Sequence, residues 1–181
     1  IDWGDGVRPQ ARDYTPLYDD EKHELALDFF VHDGGVASQW ALEAKVGDRL
    51  TIGGPRGSLV VPEDYAWQLY VCDESGMPAL RRRLESIAKL PVCPEIHAVV
   101  TVGDESYKDY LAHLSDFNIT WVEGHSEQAV VDRLAALAVP EEDYFIWLTG
   151  EGKVGKSLSR QFETNAIDQH LVRASAYWHA K

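Results

Sequence analysis

Gly150-Glu151-Gly152-Lys153-Val154-Gly155-Lys156-Ser157 fits the Gly-x-x-x-x-Gly-Lys-Ser pattern, in which backbone amides cradle phosphates and the lysine reaches them. Upstream, the apolar run Gln68-Leu69-Tyr70-Val71-Cys72 ends in Asp73-Glu74, as a strand carrying a metal-holding acid would. Together these features describe a nucleotide hydrolase. Three observations oppose that reading. Ser157 lies so close to the end of the 181 residues that only a helix and one strand can follow it. The acid-bearing strand precedes the glycine-lysine segment instead of following it. A β-rich module stands in front, which such folds do not need. A tight turn with a solvated lysine is the alternative.

A second chemistry is carried by Arg12-Asp13-Tyr14-Thr15. An arginine pairs with pyrophosphate in bidentate fashion. A tyrosine two residues on can lay its ring against an isoalloxazine, and Thr15 can hydrogen-bond the ring's reactive nitrogen. The plain alternative is an exposed strand with its tyrosine in the core. Gly34-Gly35-Val36-Ala37-Ser38-Gln39-Trp40 adds a glycine-rich helix start, whose amides suit phosphate oxygens and to which Ser38 can add a hydroxyl. Its plain alternative is a routine N-cap above a buried Trp40. Histidines at 23, 32, 97, 113, 125, 170 and 179 share no metal-ligand spacing with cysteine or each other, so no metal site is expected. Cys72 reads as a small buried hydrophobe. Lys153, Lys156 and Arg160 bunch near one helix start and Arg81-Arg82-Arg83 on another helix, the trio reading as a solvated face.

These residues need elements to hold them. Glu24 to His32 alternates with Leu25, Leu27, Phe29 and Val31 on one face, the period of a half-buried strand. Arg49 to Gly53 reads as a short strand and Gly53 to Gly57 as a turn. Beyond a boundary near Val61 to Tyr65 the rhythm changes. Strands are predicted at Trp67–Cys72, Glu95–Val102, Ile119–Val122, Tyr144–Thr149 and Leu171–Tyr177. Helices are predicted at Met77–Leu90, Tyr107–Leu114, Gln128–Ala138 and Ser157–Asn165. Such alternation builds βαβ units and a parallel sheet covered on both faces.

At about 150 residues per domain, the length allows one large domain or two small ones. The hydrophobic fraction of 45% and charged fraction of 26% exclude collagen, coiled coil and whole-chain disorder. No apolar run approaches the ~18 residues of a spanning helix, so no membrane insertion is expected. Seventeen Lys+Arg against thirty Asp+Glu give a net charge of −13, which repels nucleic acid and requires a local basic pocket for any anionic ligand. Two cysteines make no disulfide framework and point to a reducing cytoplasm. The chain opens Ile1-Asp2-Trp3-Gly4 with no signal peptide, and residues are expected to be missing upstream.

Taken in order, the pieces resemble one family. Arg12-Asp13-Tyr14-Thr15, His32-Asp33-Gly34-Gly35-Val36-Ala37-Ser38-Gln39-Trp40-Ala41, Gly47-Asp48 and Gly54-Pro55-Arg56-Gly57 resemble the flavin-binding half of the siderophore-interacting proteins. Asp73-Glu74-Ser75, Pro78-Ala79-Leu80, Leu84-Glu85, Trp147-Leu148-Thr149-Gly150-Glu151 and Tyr177-Trp178 resemble the second half. Departures are Ser75 where the family has Thr, no second basic residue near Leu17, and His179-Ala180-Lys181 after the aromatic pair. The family's first barrel strands have no counterpart.

The resemblance implies an α/β plus β fold. Residues 1–62 would be the C-terminal part of an antiparallel FAD-binding β-barrel, incomplete at its N-terminus. Residues 63–181 would be a parallel-sheet α/β domain resembling a pyridine-nucleotide module. It implies flavin-dependent reduction of a ferric siderophore by a cytoplasmic monomer, with NAD(P)H or reduced ferredoxin as electron donor. FAD would be held by Arg12, Tyr14, Thr15, His32, Gly35, Ala37, Ser38, Trp40, Asp73 and Ser75. Arg56 and Lys181 would meet the anionic chelate, and no side chain would act as catalyst, since the chemistry belongs to the flavin. A nucleotide hydrolase and a non-enzymatic carrier of flavin or iron chelate are the alternatives.

Overall fold

Trp67-Gln68-Leu69-Tyr70-Val71-Cys72 shows no alternation because the strand it forms, β3 (Trp67–Cys72), is buried on both faces. The computed structural model describes residues 11–54, 60–165 and 167–180, and the chain divides into two units, Ile1–Val60 and Val61–Lys181.

In the second unit β3 is the centre of a five-stranded parallel sheet. Its companions are β4 (Glu95–Val102), β5 (Asn118–Glu123), β6 (Tyr144–Glu151) and β7 (Val172–Trp178), in the order β5-β4-β3-β6-β7. The order reverses between β3 and β6, which opens a crevice at the carboxyl ends of those strands. Helices α2 (Met77–Ile87), α3 (Glu127–Ala135) and α4 (Gly152–Thr164) cover the sheet with a 3-10 segment over Glu105–Leu114. Leu69 and Val71 pack with α3 and α4 through Val130, Leu158 and Phe162; Tyr70 and Cys72 pack on the other face with α2. On α2, Leu80, Leu84 and Ile87 recur at helical spacing and are completely buried, each contributing about 1.5–3 kcal/mol.

Arg83 belongs to no solvated face. Its Nε donates to the Tyr70 hydroxyl at 2.9 Å, and its terminal nitrogens donate to the carbonyls of Val61 (3.0 Å) and Pro62 (2.5 Å). The guanidinium therefore pins the segment leading into the second unit. Helix α4 begins at Gly152, not Ser157, because the Glu151 carboxylate accepts the amides of Lys153 (2.6 Å) and Val154 (3.0 Å). Gly152 to Ser157 is thus helical and its amides run along the helix axis, so neither the favoured tight turn nor the phosphate-cradling loop of the opposed hydrolase reading is formed there.

The first unit contains β1 (Pro16–Asp19), which the sequence did not suggest, paired antiparallel with β2 (Glu24–Leu27). The strand expected to reach His32 stops at Leu27. Its ladder partner there is Pro16, which has no amide to continue the pairing. Arg49 to Gly53 forms no strand. Among the described residues this unit is a two-stranded antiparallel sheet followed by helix α1 (Val36–Glu43), and a barrel is not formed by them. No helix of the described residues is long and apolar enough to cross a membrane.

Candidate functional site

In the first unit, Gly34 turns the chain at φ +71° and Gly35 opens α1. A Cβ on Gly35 would fall 2.7 Å from Cε1 of His32 and 2.8 Å from Oγ of Ser38, so a side chain there would have to displace both. Ser38 is buried, and its Oγ accepts the His32 amide at 3.2 Å. The ring of His32 is turned by its own contact, Nδ1 to the Asp33 carbonyl at 3.1 Å. The start of α1 has no side-chain cap and no acid in its first turn, so no side chain among the described residues caps its first amides. Beside it runs an aromatic series: Tyr14 to Phe29 at 4.5 Å and Phe29 to Trp40 at 5.9 Å between centroids. Partial burial raises the Tyr14 phenol above its usual range, and the charge of Arg12 pulls it partly back. Arg12 itself is exposed, and its Nη1 donates to the neighbouring Ala11 carbonyl at 2.8 Å. Of the ten residues expected to hold the cofactor, eight therefore lie in this unit, Arg12, Tyr14, Thr15, His32, Gly35, Ala37, Ser38 and Trp40.

Asp73 and Ser75 belong to the second unit, at the carboxyl end of β3. Asp73 is buried, and both its oxygens are engaged. Oδ1 accepts the Ser75 amide (2.9 Å) and hydroxyl (2.5 Å); Oδ2 accepts the Glu151 amide (3.1 Å) and the Trp178 indole N–H (2.8 Å). Gly150, at φ +124°, leaves room for that carboxylate, since a Cβ there would lie 2.5 Å from Oδ2. Glu151 also accepts the Ala180 amide at 3.2 Å. Next to Asp73, buried Glu74 accepts the Gly103 amide (2.6 Å) and the Nε2 proton of His125 (2.8 Å), joining the ends of β3, β4 and β5. The Thr149 hydroxyl, buried against Gly76, has no hydrogen-bond partner among the described residues. Burial raises the Cys72 thiol far above its usual range, reinforced by Asp73 and Glu74, so it is no nucleophile.

The links of Asp73 to Trp178, Glu151 to Ala180 and Glu74 to His125 were not anticipated. Tyr177-Trp178 stood out as a motif; His125 carried no signal. Arg56 and Lys181, expected to meet the substrate, lie outside the described residues, as does the Pro55 to Gly57 part of the glycine turn. Among the described residues no group of His, Cys, Asp or Glu is arranged to hold a metal ion.

The Siderophore-interacting protein profile matches residues 65–181, and the Siderophore-interacting FAD-binding domain profile matches residues 1–59. The chain belongs to the siderophore-interacting protein family. It is 66% identical over 181 residues to the NADPH-dependent ferric-chelate reductase of Escherichia coli K12, spanning all of this chain and 71% of that protein. It is 29% identical to the ferric vibriobactin reductase ViuB of Vibrio cholerae, over 94% of this chain and 65% of that one. The crystal structure of the siderophore-interacting protein SipS from Aeromonas hydrophila superposes with a TM-score of 0.80 at 26% identity, covering 96% of this chain and 75% of that one.

FAD is the cofactor of this family's first domain, and the first unit fits it. A helix start with no side-chain cap and no acid in its first turn suits a diphosphate, and the aromatic series suits a flat ring.

Proposed function

We propose that this chain reduces Fe(III) held in a siderophore, using FAD carried by the first unit and NADPH as electron donor. The observation that carries the reading is the uncapped start of α1 beside the Tyr14–Phe29–Trp40 series. The names of the relatives, a ferric-chelate reductase and a ferric vibriobactin reductase, support the substrate, and the first supports NADPH over ferredoxin. FAD, when bound, would supply the conversion between two-electron and one-electron chemistry that the reaction needs.

The chain's own residues bind and orient. Arg12 and the first amides of α1 at Val36 and Ala37 would hold the diphosphate; Tyr14 and Trp40 would offer aromatic surface to the ring system, with Thr15 as its hydrogen-bonding neighbour. Gly35, Ser38 and His32 fix the start of the helix. Asp73 and Ser75, engaged with each other, hold the turn after β3 and the indole of Trp178. Arg56 and Lys181 supply positive charge to an anionic chelate that the net −13 would otherwise repel. Residues 1–62 form the flavin-holding part of a barrel and 63–181 the reductase-like domain, a reading supported by the division after Val60. Hard oxygen donors hold Fe(III) more firmly than Fe(II), so one-electron reduction loosens the metal. The free thiol of exposed Cys93 accords with a cytoplasmic setting.

The test is optical and anaerobic. FAD-loaded protein reduced with dithionite is mixed with a ferric siderophore, and the oxidised flavin absorbance is expected to return as Fe(II) appears. A flavin that stays reduced identifies a carrier. A colourless protein with Lys156-dependent ATP hydrolysis would restore the nucleotide-hydrolase reading.

A further inference from the structure

We propose that the Asp33-Gly34 peptide is a site of spontaneous isoaspartate formation, promoted by His32, and that this rearrangement remakes the start of α1 and weakens its hold on FAD. The modification stands on the chain's own geometry; its effect on FAD rests on the reductase reading above.

An aspartate rearranges when the amide nitrogen of the next residue attacks its carboxyl carbon. The attack needs a nitrogen uncrowded by a side chain, an N–H not held in a hydrogen bond, and a carboxyl group that no partner holds away. Glycine meets the first condition because it has no Cβ. Asp-Gly occurs as Asp5-Gly6, outside the described residues, and as Asp33-Gly34. Asp33 and Gly34 are both exposed in a turn, with Gly34 at φ +71°. Among the described residues the Gly34 amide donates to no acceptor, and the Asp33 carboxylate accepts no hydrogen bond and joins no ion pair. Other turn aspartates differ. Asp19 Oδ1 accepts the amides of Glu21 (3.1 Å) and Lys22 (3.0 Å), Asp104 that of Ser106 (2.9 Å) and Asp168 that of His170 (2.9 Å). Each of these is followed by a residue that carries a side chain.

His32 makes the bond more reactive. Its Nδ1–H donates to the Asp33 carbonyl at 3.1 Å, and that oxygen belongs to the same peptide group as the Gly34 N–H. A donor on the oxygen polarises the group, so the amide proton is lost more readily and the carbonyl carbon is more open to water. In the first step the N–Cγ bond forms and a Cγ–O bond breaks. Water leaves, built from the amide proton and the carboxyl hydroxyl, and a succinimide ring remains. In the second step water adds to the main-chain carbonyl carbon and that carbon's bond to nitrogen breaks, while nitrogen keeps Cγ. The main chain then runs through Cβ and Cγ, one carbon longer, with a free α-carboxylate. The added carbon falls inside a tightly closed loop. The His32 amide reaches the Ser38 hydroxyl at 3.2 Å across it, and a Cβ on Gly35 would already strike both side chains. Lengthening the chain there moves His32 off Ser38 and shifts the first amides of α1.

The experiment ages the FAD-free parent and the Asp33→Glu variant side by side in warm, mildly acidic buffer and digests both with trypsin. Electron-transfer fragmentation of the peptide His23–Lys45 distinguishes isoaspartate at Asp33 from isoaspartate at Asp28. Isoaspartate is expected to accumulate about tenfold faster or more at Asp33 than at Asp28, which precedes a bulky Phe29. Asp33→Glu would need a larger ring and is expected to stay unmodified at residue 33. His32→Phe keeps a ring, removes the donor and is expected to slow the accumulation several-fold. Isomerised parent purified by ion exchange is expected to bind FAD about tenfold more weakly in fluorescence titration, with the aged Asp33→Glu variant unchanged. Accumulation no faster at Asp33 than at Asp28 would overturn the site, and a rate that does not fall in His32→Phe would take His32 out of the reaction. Undiminished FAD affinity in the isomerised protein would overturn the effect on α1. Failure of the fresh parent to bind FAD would count against the reductase reading alone, and the peptide would still decide the site.

Discussion

Gly35 sits where a Cβ would strike both His32 and Ser38, so one methyl group is enough to disturb the start of α1. Gly35→Ala is expected to displace the His32–Ser38 contact and to weaken FAD binding about tenfold, read by quenching of flavin fluorescence on titration. Arg12→Ala removes a charge-assisted partner worth about 1.5–3 kcal/mol, so FAD affinity should fall by at least tenfold while the melting temperature of the apoprotein stays put. Arg83→Ala should do the reverse, lowering stability because the Val61 and Pro62 carbonyls and the Tyr70 hydroxyl lose their donor. Equal FAD affinity in the parent and the Arg12 variant would remove Arg12 from the site.

At the scale of elements, Asp73 is where the turn after β3, the end of β6 and the end of β7 meet. Asp73→Ala strands four donors at a buried position and is expected to cost about 2–4 kcal/mol in urea unfolding; Trp178→Phe removes one donor and should cost about 1 kcal/mol. Glu151 gives these contacts a pH dependence. The Val154 amide, with those of Ala180 and Lys153, holds its carboxyl below the usual range. Its contribution is therefore full above the ordinary glutamate pKa of about 4.3 and is lost as pH falls through the lowered value. Glu151→Gln should flatten that acid limb. The boundaries of β3 and β4 were readable because a strand covered on both faces needs a mostly apolar run, here interrupted only at Gln68 in β3 and at His97 and Thr101 after the exposed Glu95 in β4. The end of β2 was not, because alternation shows which face is buried but not where the ladder partner runs out. The Asp73–Trp178 bond spans 105 positions, so no local pattern announced it. The start of α4 was misplaced because its glycines look like a turn until Glu151 is seen to cap them. In the site the glycine-rich start of α1 was legible from residue types alone; its missing cap was not.

At the scale of the whole molecule, electrons and charge must both be matched. On the proposed function, a chain with a net charge of −13 must gather basic residues where they meet an anionic donor and an anionic chelate. NADPH delivers two electrons and each Fe(III) takes one. The most direct measurement is therefore anaerobic turnover of the FAD-loaded protein with NADPH and a ferric siderophore, with Fe(II) trapped by a ferrous-specific chelator. Two Fe(II) for each NADPH consumed, with no Fe(II) when FAD is left out, is the predicted result. NADPH oxidation without Fe(II), or Fe(II) formed equally well without FAD, would contradict it.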